Sequence, residues 1–217
     1  MARVFKNENP TCLLVEPIQC SAGDLYFDIE FFQGLRKVCD EYDVPLIFDE
    51  IQVGFGGTGK LWYFQHLDII PDIVVFGKKT QLSGIMAIEK LGDIFKPEKS
   101  VRLEVTWDGD VSDMVRCKYI MKAYQENNIL KNVADRSVEL IDALTVMPQI
   151  ENLRNCGLMV GFDLSNTKKR DILLSKLYKS GLVCNKTGNR SIRLRPNLNI
   201  TEHEIQHAIE IFYNALK

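Results

Sequence analysis

Five ionisable residues of the 217-residue chain stand at or just beyond the ends of short apolar runs: Glu16, Asp49, Glu50, Lys78 and Lys79. If these runs are strands of an open parallel sheet, their carboxyl ends share one edge, which is where ligands of such sheets bind. A carboxylate and a lysine amine together at that edge could carry out acid–base or nucleophilic chemistry. The alternative interpretation is a row of solvated charges, and spacing alone leaves both open.

A glycine-rich segment, residues 54–60, comes within one residue of the phosphate-binding pattern G-x-x-x-x-G-K-[ST]. Leu61 stands where that pattern needs the hydroxyl group that binds magnesium. The segment also begins several residues after the predicted strand instead of at its end. Nucleotide binding is therefore a minor alternative, and a flexible link near a site is the preferred interpretation.

Two further pairs of residues could bind ligands. His203 and His207 stand four apart on a predicted helix, which could place two metal ligands on one face. No third ligand is near in sequence, so a solvated helix face is preferred. Arg193 and Arg195 stand two apart on a predicted strand, so both side chains leave the same face and could bind a carboxylate. The alternative for them is an exposed strand face.

The elements that position these residues follow from the hydrophobic pattern. Residues 12–15, 45–48 and 73–76 are apolar runs typical of buried strands, and a helix with apolar residues at helical spacing follows Asp28. Strand, helix, strand, glycine-rich link and strand at these distances predict crossover units. The expected fold class is therefore α/β, with a mostly parallel sheet and helices on its faces.

The second half of the chain predicts a smaller α+β domain. The expected elements are helices over 111–130 and 131–144, a half-buried strand over 158–164, a helix near 172–177, and short strands around a turn at 187–189. Thr201 and Glu204 form a capping box that begins the last helix. We therefore expect residues 1–112 to belong to the larger domain and residues 113–217 to form the smaller one.

Charge and composition exclude several classes of function. The chain carries 27 Lys and Arg against 29 Asp and Glu, a formal charge of −2, which gives no reason to expect nucleic acid or an anionic membrane as partner. No apolar run is long enough for a signal sequence or a membrane span. The six cysteines lack zinc-site spacing and are expected as reduced thiols. We expect a cytoplasmic location, and a mitochondrial one stays open because a cleaved transit peptide could precede this start.

Three ordered motifs resemble the class III aminotransferases, which use pyridoxal phosphate on the fold type I scaffold: LIFDEIQVG at 46–54, TGK at 58–60 and PDIVVFGKK at 71–79. Within that family, VEPIQ at 15–19 and GKKTQ at 77–81 look most like L-lysine 6-aminotransferases, with 4-aminobutyrate aminotransferases next. The resemblance implies a homodimer that transfers an amino group from L-lysine or a similar amine to 2-oxoglutarate. It also implies part of a fold type I large domain followed by a smaller carboxyl-terminal domain.

The resemblance assigns cofactor-binding roles by position. Asp49 would pair with the pyridine nitrogen and keep it protonated, so that the ring can accept electrons, and Gln52 would hydrogen-bond the phenolic oxygen. Lys78 would bind the cofactor covalently and, once released by substrate, move a proton between carbon atoms. Lys79 is expected to point to the opposite side of an extended chain. Thr106 would reach the cofactor phosphate of the partner subunit.

Arg195, in the motif IRLRP at 192–196, would bind the α-carboxylate of a substrate or a carboxylate of 2-oxoglutarate. In the families that the chain resembles, a glutamate commonly stands at the position of Ser21 and neutralises this arginine while an ω-amine donor is bound. Without it, we expect Arg195 to stay available to α-carboxylates in both half-reactions, which argues against an ω-amine donor. Glu104 and Asp108 stand where the family usually has uncharged residues, and their charge would oppose a phosphate.

The resemblance runs from about Cys12 to the end of the chain, whereas the family's large domain starts well before that point. The preceding part would supply the phosphate-binding cup, the aromatic residue stacked on the cofactor and one substrate arginine. We therefore expect the carboxyl-terminal half of an aminotransferase, with impaired activity or none alone. The alternatives are a 4-aminobutyrate aminotransferase-like enzyme and a truncated, non-catalytic chain that binds no cofactor.

Overall fold

The structure, a computed structural model, describes residues 2–95, 106 and 109–217. The described part contains six α-helices: α1 (Ala2–Glu8), α2 (Ile29–Glu41), α3 (Val111–Glu126), α4 (Ile129–Thr145), α5 (Thr167–Lys179) and α6 (Glu202–Leu216). Its strands are β1 (Leu13–Val15), β2 (Ile18–Gln19), β3 (Leu25–Tyr26), β4 (Leu46–Asp49), β5 (Ile73–Phe76), β6 (Gly84–Ala87), β7 (Glu151–Cys156), β8 (Met159–Asp163), β9 (Asn185–Thr187) and β10 (Ser191–Leu194). Short 3₁₀ helices lie at Tyr63–His66, Lys78–Thr80 and Glu89–Phe95.

The chain divides into two compact units. The first unit comprises Met1–Pro17, Phe27–Gly54 and Trp62–Ala123, and the second unit comprises Ile18–Tyr26, Phe55–Leu61 and Tyr124–Lys217. The domain boundary expected between residues 112 and 113 stays a prediction.

The sheet of the first unit has the strand order β1-β4-β5-β6. The pairs β1–β4 and β4–β5 are parallel, as the sequence predicts, whereas β6 runs antiparallel to β5. The sequence analysis missed β6 because it is an edge strand whose large apolar residues Ile85 and Met86 are exposed, so it lacks a buried-strand pattern. The sheet is therefore mixed but mostly parallel.

Helix α2 covers this sheet through one apolar face. Phe32, Leu35 and Cys39 are its buried residues and recur at helical spacing. The ring of Phe32 meets the ring of Phe48 on β4 edge-on, with centroids 5.6 Å apart. At the amino end of the sheet, Asp72 accepts hydrogen bonds from Arg36 and from the backbone N–H of Leu46, both at 2.7 Å. These contacts fix the amino ends of β4 and β5. The candidate site described below lies at the opposite, carboxyl ends of these strands.

The second unit is built on an antiparallel sheet of order β7-β8-β10-β9. It also contains a separate two-stranded antiparallel hairpin, β2–β3, at residues 18–26. Helix α6 contacts both α4 and α5. The core includes fully buried residues from these helices, from the sheet and from the turn between β7 and β8: Leu144, Leu158, Phe162, Leu177, Ile192 and Phe212. The predicted capping box is confirmed, because Thr201 Oγ1 accepts the N–H of Glu204 at 3.2 Å and Glu204 Oε2 accepts the N–H of Thr201 at 2.8 Å.

The structure also describes the state of the cysteines and the lengths of the helices. All six cysteines are free thiols, with Cys20 and Cys39 buried and Cys12 exposed. Among the helices that the structure describes, none is both long and apolar enough to cross a membrane.

Candidate active site

Asp49 and Lys78 lie at the same edge of the first unit's sheet. Asp49 is the last residue of β4 and pairs in register with Val75 on the parallel strand β5. The backbone N–H of Glu50 donates to the carbonyl of Val75 at 2.9 Å, which extends the pairing by one residue. Lys78 follows Val75 by three residues, so the carboxylate and the amine belong to the carboxyl ends of neighbouring parallel strands.

The turn after β4 presents Gln52. Asp49 Oδ1 accepts the N–H of Ile51 at 3.0 Å, and the N–H of Gly54 donates to the carbonyl of Glu50 at 2.8 Å. Gly54 has no room for a side chain, because a Cβ atom there would lie 2.8 Å from both the Glu50 carbonyl oxygen and the Trp62 ring. The turn is thus closed tightly, with Gln52 half-buried between its ends.

Lys78 takes a backbone conformation that non-glycine residues rarely adopt. Its φ is +52°, its side chain is exposed, and it opens the 3₁₀ helix Lys78–Thr80. Its carbonyl accepts two hydrogen bonds from Gln81, at 2.9 Å from the backbone N–H and 3.0 Å from Nε2. Left-handed residues of this kind cost on the order of 1 kcal/mol and cluster at functional sites. The expectation of an extended chain at Lys79 is wrong, because residues 78–80 turn.

Glu50 is buried, with 1% of its surface exposed. Its Oε2 accepts the N–H of Tyr63 at 2.6 Å and its Oε1 that of Phe64 at 3.0 Å. Burial raises the pKa of Glu50 to about 7, against the opposing effects of these two bonds and of the Lys79 charge. The solvated-charge interpretation is therefore wrong for Glu50, although it holds for Glu16, which is exposed after β1.

Arg193 and Arg195 lie in the second unit, Arg193 on β10 and Arg195 directly after its last residue, Leu194. Arg193 Nη1 donates to the carbonyl of Cys20 at 3.1 Å. Arg195 Nη1 donates to the carbonyl of Val160 at 3.1 Å, and its Nη2 lies 2.5 Å from Asp24 Oδ1. Both guanidinium groups reach Cys20, so they lie on the same side of the chain, which agrees with the two-residue spacing. An exposed strand face does not describe this pair, because both guanidinium groups are engaged by the chain.

Asp24 corrects an expectation about Arg195. Ser21 is exposed and carries no charge, but Asp24 is fully buried and pairs with Arg195, so the expectation of an arginine without a carboxylate partner is wrong. The physical reason is local backbone geometry: Asp24 has φ +53°, and Arg154 Nε holds its carbonyl at 2.8 Å. Burial raises the pKa of Asp24, and the Arg195, Arg193 and Arg154 charges oppose that effect.

Gly161 on β8 makes space for the Asp24 carboxylate. A Cβ atom at Gly161 would lie 2.8 Å from Asp24 Cβ and 3.0 Å from Oδ2. This Oδ2 is buried and has no hydrogen-bond partner among the described residues. The sequence analysis missed Asp24 because its partner lies 171 residues further along the chain; the only local signal is a polar residue after Gly23 that tolerates a positive φ.

The remaining predicted residues have simpler surroundings. Thr106 lies exposed in a turn, whereas Glu104 and Asp108 lie outside the described residues. The segment after Gly54 leads into a 3₁₀ helix at Tyr63–His66, so the α-helix that receives the phosphate in a phosphate-binding loop is absent from this described stretch. His203 and His207 are exposed on α6. The part of the chain that the structure describes contains no cluster of three metal-binding side chains.

The sequence model of the family described as "Aminotransferase class-III" matches residues 2–216. The chain belongs to the class III aminotransferases. The L-lysine-epsilon aminotransferase of Mycobacterium tuberculosis is 38% identical over 212 residues, which cover 94% of this chain and 47% of that protein. That of Amycolatopsis lactamdurans is 35% identical over 213 residues, with the same coverage of both chains. The 4-aminobutyrate aminotransferase of Kluyveromyces lactis is 36% identical over 214 residues, 94% of this chain and 44% of that protein.

Solved structures support the same family and fold. The lysine aminotransferase from M. tuberculosis matches this class III aminotransferase chain with a TM-score of 0.90 and 35% identity, over 99% of this chain and 51% of that one. A transaminase from the marine bacterium Virgibacillus has a TM-score of 0.91 at 21% identity, which shows the fold alone. The predicted fold class is confirmed as an α/β part of fold type I. The chain spans about half the length of the curated relatives it matches.

Proposed function

We propose that this chain is part of an aminotransferase that uses pyridoxal phosphate to transfer an amino group from L-lysine or a similar amine to 2-oxoglutarate. The observation that carries the proposal is the shared sheet edge of Asp49 and Lys78, fixed by the register of β4 and β5. Membership of the class III aminotransferases and the lysine aminotransferase relatives support it.

The residues at this edge fit the cofactor. One oxygen of Asp49 accepts the N–H of Ile51, and its other oxygen meets no partner within the described residues, so it can accept a hydrogen bond from a protonated ring nitrogen. Gln52 offers an amide for the phenolic oxygen, and Lys78 offers an exposed primary amine for the aldehyde. When bound, pyridoxal phosphate supplies an electron sink for the charge that develops at the substrate carbon.

Each residue would then have one task. Asp49 would hold the proton on the ring nitrogen, because its negative charge favours the protonated form. Gln52 would orient the ring by its hydrogen bond. Nζ of Lys78, once released by the incoming amine, would take the proton from the substrate carbon and return it to the carbon on the other side of the transferred nitrogen. The left-handed backbone of Lys78 sets the direction in which its side chain leaves the main chain.

Arg195 would bind a carboxylate of 2-oxoglutarate or of the donor. Asp24 compensates its charge when no substrate carboxylate is present, which removes the objection to an ω-amine donor that Ser21 raised. The lysine aminotransferase relative is 38% identical to this chain and the 4-aminobutyrate aminotransferase relative 36%. L-lysine is therefore the first donor to test and 4-aminobutyrate the second.

The assembly and location complete the proposal. We expect a cytoplasmic homodimer, without nucleic acid or membrane as partner, in which Thr106 reaches the cofactor phosphate of the other subunit. Its exposed position in a turn leaves it accessible for that contact. Residues 1–112 would belong to the cofactor-binding domain and residues 113–217 would form the smaller one. A non-catalytic chain that binds no cofactor is the second candidate, and the experiment below distinguishes it from the first.

Amino transfer tests the proposal directly. The full chain is incubated with pyridoxal phosphate, 2-oxoglutarate and either L-lysine or 4-aminobutyrate, and glutamate formation is measured. In keeping with the impaired activity expected of the chain alone, we expect slow glutamate formation with L-lysine, none with Lys78→Ala, and the rate of the unaltered chain with Lys90→Arg, a surface control. Glutamate formation that survives Lys78→Ala contradicts the assignment of Lys78 to the site. Absence of glutamate with both donors favours the non-catalytic chain.

A further inference from the structure

The two adjacent lysines after β5 have different surroundings. Lys78 is exposed, whereas Lys79 is half-buried and its Nζ donates to the backbone carbonyls of Gln52 at 2.5 Å and Gly54 at 2.9 Å. The 3₁₀ turn that Lys78 opens directs the two side chains differently. Because an ammonium that holds two carbonyl groups is committed to them, Lys79 does not offer a free amine.

These two carbonyls belong to the turn that presents Gln52. The turn is attached to β4 by the Gly54 N–H to Glu50 carbonyl bond of 2.8 Å, and to β5 by the Glu50 N–H to Val75 carbonyl bond of 2.9 Å. Lys79 adds a second attachment between the turn and the end of β5, because its Nζ binds the carbonyls of the residues before and after Val53. One side chain thus links the turn of Gln52 to the segment of Lys78.

The charge of Lys79 also acts on the buried carboxyl group at the start of the turn. Glu50 accepts the N–H groups of Tyr63 and Phe64, and the Lys79 charge favours its ionised form against the effect of burial. An ionised Glu50 is an acceptor only, which suits two backbone donors. Lys79 therefore supports the turn through its hydrogen bonds and through the charge state of Glu50.

We propose that Lys79 is a positioning residue, which holds the Gln52 turn against the end of β5 so that Gln52 and Lys78 face the same ligand. The role of Gln52 toward the cofactor rests on the proposed function, whereas the attachment of the turn does not. Lys79 itself touches neither cofactor nor substrate in this proposal.

Hydrogen exchange in the cofactor-free chain tests the attachment. Lys79→Met keeps a long unbranched side chain but removes the donors, and we expect the Gly54 amide to exchange about tenfold faster, since its bond closes the turn. Lys79→Arg should restore protection to within about threefold, because it keeps the charge and the donors. The matched control is Lys90→Met, which removes the ammonium that pairs with Asp43 on the surface. Exchange at Gly54 no faster than in the control overturns the proposal, as does an equal loss of protection in β10.

Should Lys79→Met not fold, Lys79→Gln keeps an uncharged NH2 donor group and should give an intermediate exchange rate. A Gly54 amide that exchanges at the same rate in Lys79→Gln as in the unaltered chain contradicts the proposal in the same way.

The cofactor-loaded chain provides a second readout. We expect Lys79→Met to shift the pH midpoint of the cofactor's absorption change in the same direction as Gln52→Ala does. The double variant should shift it no further, because the two substitutions remove the same contact, that of Gln52 with the cofactor. Additive shifts contradict the positioning role. Failure of the proposed function is distinct, since it would leave Lys78 of the unaltered chain without cofactor while the exchange result at Gly54 stands.

Discussion

The carboxylate of Asp24 and the guanidinium of Arg195 form an ion pair in which Oδ1 and Nη2 lie 2.5 Å apart, and the aspartate side chain is fully buried. Arg154 donates hydrogen bonds to the carbonyls of Gly23 and Asp24. Because a buried charge that loses its partner keeps its desolvation cost, each member of such a pair depends on the other. If Arg195 binds a substrate carboxylate, as we propose, that carboxylate has to compete with Asp24 for the guanidinium group.

Asp24→Asn should destabilise the chain by about 3 kcal/mol, since it leaves the Arg195 charge without its carboxylate. Urea unfolding measures this loss. The matched control is Asp28→Asn: Asp28 is exposed at the start of α2 and its side chain makes no capping bond, so its change should stay within about 0.5 kcal/mol. Equal stability of the two variants would show that the ion pair contributes nothing.

Ser21→Glu should leave the ratio of L-lysine to 4-aminobutyrate turnover within about threefold of the unaltered chain, because Asp24 already compensates Arg195 and a tenfold change needs about 1.4 kcal/mol. The relative rates of glutamate formation measure it. A change of tenfold or more would mean that Asp24 does not control the charge of Arg195.

Gly161→Ala should cost about 1–3 kcal/mol, because the new Cβ atom overlaps the Asp24 side chain in a packed site. Gly34→Ala is the contrasting change. Gly34 is an exposed residue within α2, and a Cβ atom there meets nothing within 4 Å, so alanine should stabilise the helix by about 0.5–1 kcal/mol. Thermal unfolding of both variants checks the opposite signs, and a stabilising Gly161→Ala would be incompatible with the described packing.

The unfolding free energy should depend on pH through Glu50. Its pKa rises from 4.5 to about 7 on folding, so the folded chain binds the proton more tightly than the unfolded chain does. The resulting stabilisation is complete below pH 4.5 and is lost as the pH rises through about 7.

Glu50→Gln removes this titration. Between pH 5 and pH 8 the unaltered chain should lose about 2–3 kcal/mol more stability than the variant does. Urea unfolding across that range measures the difference, and parallel pH profiles would show that Glu50 has the same pKa in both states.

The sequence predicts those parts of the fold that depend on local pattern. The apolar run at 73–76 coincides with β5, and the capping box at Thr201 begins α6 where expected. The burial of Glu50 also follows a local pattern, because Leu46 and Phe48 on β4 and Glu50 just after it stand two residues apart and all three are buried. Glu50 also stands next to Asp49 at the end of a strand, a position where a solvated charge is expected.

Other features depend on contacts that no local pattern contains. Asp24 meets Arg195 only because a positive φ turns it inward and Gly161 leaves room. The carbonyl contacts of Lys79 follow from the left-handed backbone of Lys78, for which lysine has no intrinsic preference. Such backbone conformations are imposed by the surrounding structure, so residue type does not predict them.

The central claim is that Lys78, and not its neighbour Lys79, is the residue that binds the cofactor. The full chain is incubated with pyridoxal phosphate and reduced with borohydride, and the modified peptide is mapped. We predict a label on Lys78 in the unaltered chain and in Lys90→Arg, and its loss in Lys78→Arg. A label on Lys79, or one spread over surface lysines, would contradict the account.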